Sequence, residues 1–206
     1  MKLYYTPGAC SFAPHVLLRE TGQPFTLEFV ALPEHRMADG SDFHAINPRG
    51  MVPVLDLGAE GLLTEQSIIA QYICDRAEQR DLLPATGTLA RSRVLEWQSY
   101  IATEIHKGYS LLFRQINPET QAMVRDQLIE RFSHISHHLQ DRSYLTGETF
   151  TLADIYLFVV ALWGDHFAMN LRSLPGLGAF LRRVAERPTV QAAYAAEGPG
   201  FIRIEA

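Results

Sequence analysis

Hydrophobic and polar residues follow two different spacings in the first third of the chain, one typical of strands and one of helices. Strand-like alternation or short apolar runs cover residues 3–5, 26–30, 52–57 and 62–63. Apolar positions at helical spacing predict helices over residues 11–21 and 64–78. Residues 31–46 lack either pattern, so we expect a loop there, with one short helical turn near residues 41–45.

The order of these elements, β-α-β followed by β-β-α, is that of a thioredoxin-like domain over residues 1–78. Residues 79–88 contain Pro84 and Gly87 and predict a linker. After the linker the helical spacing continues without a strand signal, and the predicted helices cover residues 89–115, 118–140, 151–168, 175–187 and 188–196. We therefore expect an α/β N-terminal domain followed by an all-α helical bundle over residues 89–206.

The composition is that of an ordinary soluble globular protein, with 47% hydrophobic and 20% charged residues among 206. A net charge of −5 argues against a nucleic acid or an anionic membrane as partner. No stretch approaches the ~20 apolar residues of a membrane helix, and no secretory signal is visible. Two cysteines cannot form a disulfide framework, so we expect a cytoplasmic protein.

Cys10 is the strongest chemical candidate, because it follows a predicted strand and a Pro7-Gly8 turn and precedes a predicted helix. Backbone N–H groups and the helix dipole at that place favour a thiolate. Position 13 is Ala, so no C-x-x-C motif exists, and the thiol needs an external thiol or substrate. The alternative is a half-buried structural cysteine; Cys74, inside an apolar helical run, fits that description better.

Five motifs together resemble one known family. They lie at residues 2–11, 47–53, 63–65, 104–108 and 150–154. In this order and spacing they resemble the cytosolic glutathione transferases, and the cysteine motif with the His106-Lys107 pair resembles their bacterial beta class. The resemblance implies the glutathione transferase fold, a homodimer, glutathione as co-substrate without a metal, and a role in detoxification.

The resemblance also implies a set of site residues. Cys10 and His106 would be catalytic, and the glutathione-binding residues would be Tyr5, Cys10, His35, Val52, Pro53, Glu65, Gln66, Ser99, Thr103, Glu104, His106 and Lys107. The Val52-Pro53 bond resembles the family's cis-proline turn, which would free the Val52 main chain for the tripeptide; an ordinary trans bond is the alternative. Glu65 would pair with the γ-glutamyl ammonium, or it would only complement the helix dipole.

Four positions depart from the family pattern, and one of them is Met51, which replaces a polar residue common in the Val-Pro motif. Gln66 stands where relatives often have Ser, and we choose it over Ser67 because one step turns a helical side chain by about 100°. His35 stands where beta-class enzymes often have a lysine at the glycyl end of glutathione, and Arg36 is its alternative. Ser99 replaces an Asn, so a contact there requires that a hydroxyl suffices.

Two further features are assigned to the fold. His134 and His138 have the i,i+4 spacing of a metal site, but they lie off the core face of their helix and lack an H-E-x-x-H context. We interpret both as part of a solvated face. Thr151 and Asp154, preceded by Phe150, form a predicted capping box that stabilises the next helix.

The function that follows is conjugation of glutathione to a small hydrophobic electrophile, with thiol-disulfide exchange at Cys10 as a second activity. Two alternatives remain: a non-enzymatic carrier of hydrophobic ligands on the same fold, and a glutathione-dependent dehalogenase or isomerase. The electrophile pocket is expected near Phe113, Trp163 and His166. Arg91 and Arg93 are candidate charges at the dimer interface.

Overall fold

The first half of the chain folds into a five-stranded mixed sheet with helices packed on it. The computed structural model describes residues 1–198, 200 and 202–204. Its strands are β1 (Lys2–Tyr5), β2 (Thr26–Ala31), β3 (Arg36–Met37), β4 (Val54–Asp56) and β5 (Leu62–Thr64). The sheet order is β3-β2-β1-β4-β5, where β1 and β2 are parallel and the other pairs are antiparallel. This is the thioredoxin-like arrangement that the sequence predicts.

The helices of the structure are α1 (Phe12–Glu20), α2 (Gln66–Arg76), α3 (Leu89–Tyr100), α4 (Pro118–His138), α5 (Leu152–His166), α6 (Pro175–Ala185) and α7 (Pro188–Glu197). They confirm most of the predicted elements to within a few residues. Two predictions for the first half of the chain were wrong in detail. The second helix was expected to begin at Thr64, but Thr64 belongs to β5 and Glu65 is the N-cap. Residues 36–37, expected to be loop, form the edge strand β3.

The helix predicted over residues 89–115 is not a single α-helix. Regular α-helix ends at Tyr100, a π-helical segment covers Ile101–His106, and a 3₁₀ segment covers Lys107–Leu111. Such π segments are rare and occur often at functional sites, because they rotate the side chains that follow them. His106, the last residue of the π segment, therefore has a direction that the uniform helical spacing did not predict.

One apolar core joins the two halves of the chain. It runs from Leu3 under the sheet, through α1 and α2, to α5, whose residues from Leu152 to Gly164 are all buried. A smaller cluster on the other face of the sheet contains Tyr4, Val30, Phe43 and Val54. Because the core is continuous across residues 79–88, the domain division at that linker stays a prediction.

The predicted capping box at α5 is present. The Asp154 carboxylate is fully buried and accepts hydrogen bonds from the Thr151 N–H, the Thr151 hydroxyl and the Leu145 N–H, each at 2.8 Å. Burial raises the pKa of Asp154 to about 6, although these three donors oppose the shift. A side chain on α5 thus also anchors the loop that follows α4.

Candidate functional site

Cys10 lies in the turn between β1 and α1, as predicted, and is 9% exposed. Its thiol donates a long hydrogen bond to the Val52 carbonyl, at 3.5 Å. Ser11 closes the turn: its Oγ donates to the Thr6 carbonyl and accepts from the Thr6 N–H, both at 3.2 Å. The sulfur is therefore placed against the segment that carries the proline turn.

The expectation that the Cys10 thiol has a lowered pKa was wrong. Burial raises the pKa of Cys10 to about 12, and the carboxylate of Glu65 acts in the same direction. The Cys10 and Ser11 N–H groups lower it, as the helix N-terminus predicts, but desolvation of the thiolate is the larger effect. Cys10 is accordingly a neutral thiol at pH 7. The Cys74 thiol is buried inside α2, and burial raises its pKa to about 12, as expected of a structural cysteine.

Groups from the second half of the chain hold the Cys10 turn in place. The indole Nε1 of Trp163 donates to the Gly8 carbonyl at 2.9 Å, and the Gly8 N–H donates to the Glu197 carboxylate at 3.2 Å. Glu197 also accepts from His15, at 2.8 Å, and Arg19 donates to the other nitrogen of that ring at 2.9 Å. The sequence analysis missed this network, because its members are far apart in the sequence.

The Val52-Pro53 peptide bond is cis, as the resemblance implied. Val52 is 8% exposed, and no described residue accepts a hydrogen bond from its N–H. Asn47 supports this turn, since its Nδ2 donates to the Met51 carbonyl at 2.7 Å. The turn thus presents a main-chain donor beside the Cys10 sulfur.

The N-terminus of α2 is the next part of the site. Glu65 has φ = 70°, in the left-handed region that a glutamate rarely adopts, and such backbone outliers cluster at ligand sites. Its exposed carboxylate pairs with Arg49 at 2.8 Å. The Gln66 side chain is buried, and its Nε2 has no hydrogen-bond partner among the described residues. A buried amide donor without a partner is costly unless a ligand accepts from it.

The His35 side chain makes contacts within the protein that the sequence did not predict. Its Nδ1 lies 3.1 Å from the Gly50 carbonyl, and its ring lies 4.4 Å from that of His44. Gly50 has φ = 65°, and a Cβ there would stand within 3 Å of both rings, so only glycine fits. Arg36 donates to the Gly40 carbonyl at 3.2 Å, and its role as the alternative to His35 stays a prediction.

Most of the predicted residues after Trp97 lie on the outer side of the helix. Thr103 donates to the Ser99 carbonyl of its own helix at 3.1 Å, and both residues are exposed. Glu104 forms an ion pair with Arg131 of α4 at 3.1 Å, which ties the two helices together. The glutathione contacts expected of Ser99, Thr103 and Glu104 stay predictions. Lys107 is exposed.

His106 is the one residue of this group that the structure joins to the Cys10 turn. Its ring lies 4.8 Å from that of Trp163, which is bonded to the turn, and its Nδ1 lies 2.6 Å from the Tyr156 hydroxyl. Burial lowers the pKa of His106 to about 4, and the charge of Lys107 acts in the same direction. The imidazole is therefore neutral at pH 7, and no described residue bonds to its Nε2.

Tyr156 is a site residue that the sequence analysis missed. It is 2% exposed, and burial raises its pKa, with smaller contributions from Cys10 and Glu65. Tyr156 is thus close enough to Cys10 and Glu65 for the ionised form of either group to raise its pKa. It lies inside an apolar run of α5, where a tyrosine at helical spacing gives no signal of chemistry.

The role of Tyr5 in glutathione binding stays a prediction. Its ring packs 6.2 Å from the ring of Phe29 and 6.5 Å from that of His15, so it contributes to packing between β1, β2 and α1.

An aromatic surface adjoins His106. Phe113 is 47% exposed and stands edge-on to Trp163 at 5.8 Å and to Phe167 at 5.0 Å. His166 packs against Phe167 at 4.9 Å. The three residues expected around the electrophile pocket therefore lie together, with Phe167 as a fourth member.

In the described part of the chain, His134 and His138 form neither a metal site nor a fully solvated face. Among the described residues no group of three or more His, Cys, Asp or Glu side chains could hold a metal ion. His138 lies near the Leu145 carbonyl at 2.8 Å and its ring packs 4.7 Å from that of Trp97, so its role is structural. No helix in the described part of the chain is long and apolar enough to cross a membrane.

Two family models match the chain. The model of the glutathione S-transferase N-terminal domain covers residues 8–76, and that of the C-terminal domain covers residues 100–188. Glutathione S-transferase GstA of Escherichia coli O157:H7 is 45% identical over 199 residues, which is 96% of this chain and 99% of the relative.

Two solved structures extend the comparison. A sphingomonad glutathione S-transferase complexed with glutathione superposes with a TM-score of 0.92 at 38% identity, covering 97% of this chain and all of that one. The beta-class enzyme of Sphingomonas chungbukensis gives a TM-score of 0.92 at 39% identity, covering 96% of this chain and 99% of the other.

Proposed function

Because this chain belongs to the glutathione transferase family and is a glutathione transferase, we propose that glutathione lies across Val52 with its sulfur beside His106. The observation that carries the proposal is a set of donors without partners: the Val52 N–H, the Gln66 Nε2 and the His106 Nε2. The three donors come from three separate segments, and each segment is linked to Cys10. The Cys10 thiol donates to the Val52 carbonyl, and the Glu65 carboxylate, next to Gln66, raises the pKa of Cys10. Tyr156, whose hydroxyl bonds His106, is near enough to Cys10 for an ionised Cys10 to raise its pKa.

Each donor suits one part of the tripeptide. An extended peptide main chain can pair with the Val52 N–H as it would with a strand edge. The γ-glutamyl carboxylate suits the N-terminus of α2, where the helix dipole, the free N–H groups and the Gln66 amide converge. Glu65 is the acceptor for the γ-glutamyl ammonium, and Arg49 at 2.8 Å holds its carboxylate in place.

The reaction is attack of the glutathione sulfur on an electrophilic carbon. The thiol loses its proton, the sulfur forms a bond to carbon, and a leaving group such as a halide departs with its electron pair. The aromatic surface of Phe113, Trp163 and Phe167 suits a small hydrophobic electrophile, because it lies next to His106. Cys10 is a neutral thiol at pH 7, so the nucleophile is the glutathione sulfur itself.

Thiol-disulfide exchange at Cys10 stays a prediction. It requires the Cys10 thiolate to attack glutathione disulfide, forming a mixed disulfide and releasing one glutathione thiolate. With a pKa of about 12, few of the Cys10 thiols are ionised at pH 7, so exchange in this form of the protein is slow compared with conjugation. Both cysteines are free thiols, which is consistent with a cytoplasmic location.

The Gln66 side chain provides the test of the proposed site. Gln66→Ala is expected to weaken glutathione binding about tenfold, because a hydrogen bond to a charged group is lost. The measurement is the dissociation constant of glutathione by titration calorimetry. Gln71→Ala is the matched control, since Gln71 lies on the same helix and its Nε2 bonds the Ser67 carbonyl. Equal affinities of the two variants would contradict the placement of the γ-glutamyl end.

We also propose a homodimer that uses the outer face of α3 and α4. A cavity of about 530 Å³ opens between them, with Trp97, Tyr100, Ile135 and Leu145 among its walls and Arg93 at its edge. Arg93 is exposed and suits an interface. Arg91 is less suited, because the two terminal nitrogens of its guanidinium, Nη1 and Nη2, each donate to the Asp75 carboxylate at 2.8 Å within the same chain.

Sedimentation equilibrium at micromolar protein tests the dimer. The expected mass is twice the 23.2 kDa of one chain. Tyr100→Asp would place a charge in an apolar wall and is expected to shift the equilibrium toward the monomer, whereas Asp126→Ala on the exposed side of α4 is expected to leave it unchanged. A wild-type protein that sediments at the mass of one chain would contradict the proposal.

A further inference from the structure

The hydrogen bond between His106 and Tyr156 indicates which ring nitrogen of His106 carries the hydrogen. The His106 Nδ1 lies 2.6 Å from the Tyr156 hydroxyl, and no other described residue bonds to that hydroxyl. A neutral imidazole has one N–H and one bare nitrogen, and a tyrosine hydroxyl can either donate its hydrogen or accept one. Two arrangements therefore fit the short contact: the His106 Nδ1 donates to the Tyr156 oxygen, or the Tyr156 hydroxyl donates to Nδ1.

The two arrangements differ in which hydrogen-bond donor they leave without an acceptor. If Nδ1 carries the hydrogen, the Tyr156 oxygen accepts it, and the tyrosine O–H is left without an acceptor in a site that is 2% exposed. A buried donor without a partner is destabilising. If the hydrogen is on Nε2, the tyrosine O–H donates to the bare Nδ1 and is satisfied, and the remaining Nε2–H belongs to a half-buried ring, where solvent or a ligand can accept from it. The second arrangement is the one that the surroundings favour.

We propose that Tyr156 is a positioning residue that fixes His106 with its hydrogen on Nε2, so that His106 donates a hydrogen bond to the glutathione sulfur and does not remove its proton. This inference rests on the proposed placement of glutathione. In the step it describes, the S–H bond breaks, the electron pair stays on sulfur, and the proton leaves to solvent. The imidazole keeps its hydrogen throughout and stabilises the thiolate.

The neighbours of the ring agree with this role. The ring stays neutral because burial and the charge of Lys107 both disfavour the imidazolium. Trp163 packs edge-on against it at 4.8 Å, and Tyr156 stands edge-on at 5.8 Å, so the ring is held between two side chains of α5. Burial raises the pKa of Tyr156 and the Glu65 carboxylate acts in the same direction, so the hydroxyl stays protonated and is preserved as a donor.

The direct test is nuclear magnetic resonance of the wild-type protein with ¹⁵N-labelled histidine at pH 7. The two ring nitrogens of His106, assigned by comparison with His106→Ala, report which one carries the hydrogen. We expect a neutral ring with a bare Nδ1 and a protonated Nε2. A ring protonated on Nδ1, or on both nitrogens, would overturn the proposal without any question of whether a variant folds.

The functional test compares Tyr156→Phe with Tyr109→Phe. Tyr109 is also buried, packs on the same Trp163 at 5.5 Å, and has a hydroxyl without a partner among the described residues, so it controls for loss of a buried tyrosine hydroxyl. The readout is the pKa of bound glutathione, from the pH dependence of the thiolate absorbance. We expect Tyr156→Phe to raise that pKa by about one unit, equivalent to about tenfold less thiolate.

The steady-state parameters separate this role from a structural one. With Tyr156→Phe, kcat is expected to fall about tenfold at pH 7 and to recover at higher pH, while the glutathione KM stays within about twofold, because the ring remains in place. An unchanged thiol pKa in Tyr156→Phe, with a raised one in His106→Ala, overturns the inference alone. An unchanged thiol pKa in both variants shows that His106 is not beside the sulfur and overturns the proposed site.

Discussion

Replacing His106 with alanine is expected to lower the turnover of glutathione conjugation about 100-fold, because one hydrogen-bond donor to an anion is removed. The donor counts for more here than in water, since His106 is half-buried, with its ring packed against Trp163 and bonded to Tyr156. The measurement is steady-state conjugation of an aromatic halide at saturating glutathione. The glutathione KM is expected to change little, because Val52 and Gln66 supply the binding contacts.

Cys10→Ser is the matched comparison for His106→Ala. The raised pKa keeps the Cys10 thiol neutral at pH 7, and its structural contact, a hydrogen bond to the Val52 carbonyl, is one that a serine hydroxyl can also make. Conjugation by Cys10→Ser is therefore expected to stay within about threefold of the wild type. If Cys10→Ser lost as much turnover as His106→Ala, the nucleophile or its activator would be Cys10 and the assignment would be wrong.

The pH profile gives a second check on His106. Because burial lowers its pKa to about 4, the ring does not titrate between pH 5 and pH 9. We expect kcat to show a single ionisation in that range, from the bound glutathione thiol, and this ionisation is expected to move to higher pH in His106→Ala.

Asp154→Ala is expected to reduce the free energy of unfolding by about 3 kcal/mol, the largest stability effect that we predict. The substitution leaves two buried main-chain donors, the N–H groups of Thr151 and Leu145, without an acceptor, and each such donor costs about 1–3 kcal/mol. In a chain of this length the melting temperature should fall by about 10 °C. Thermal and urea unfolding followed by circular dichroism would measure both quantities.

The control for Asp154→Ala is Asp126→Ala on the exposed face of α4, which should change stability by no more than about 0.5 kcal/mol. Glutathione affinity of the folded Asp154→Ala protein is expected to match the wild type, since Asp154 contacts only the loop after α4 and the start of α5. A variant that kept its melting temperature and lost glutathione binding would place Asp154 in the site.

The raised pKa of Asp154 adds a pH dependence with a definite sign. Folding raises this pKa from 3.8 to about 6, so between these values the folded protein holds a proton that the unfolded chain has released. The stability gained from this bound proton is therefore full below pH 3.8 and is lost as the pH rises through 6. Asp154→Asn lacks this titration, so its deficit relative to the wild type should be about 1 kcal/mol larger at pH 5 than at pH 7.

The sequence by itself determined the elements and most of the segments that form the site. Strand alternation, helical spacing and the Thr151–Asp154 box depend on residues close together in the chain, so they identified the sheet, the helices and the cap of α5. The resemblance of five motifs in order identified the family and the cis bond at Val52-Pro53, and it predicted a catalytic role for His106. The choice of Gln66 over Ser67 also came from local geometry, and Gln66 is the residue with the unpartnered buried amide.

The tertiary structure decided how these segments work together. The sign of the Cys10 pKa shift depends on burial, which is set by packing between the two halves of the chain, and burial outweighs the local effect of the helix N-terminus. Two sets of contacts join residues whose separations no sequence spacing encodes. Tyr156 bonds His106, whereas the Cys10 turn is held by Trp163 and by Glu197, which also bonds His15. The end of regular helix at Tyr100 is likewise set by packing, since the residue types on either side are ordinary helix formers. Local patterns thus fix which backbone forms where, whereas the protonation states at the site follow from contacts that exist only once the chain has folded.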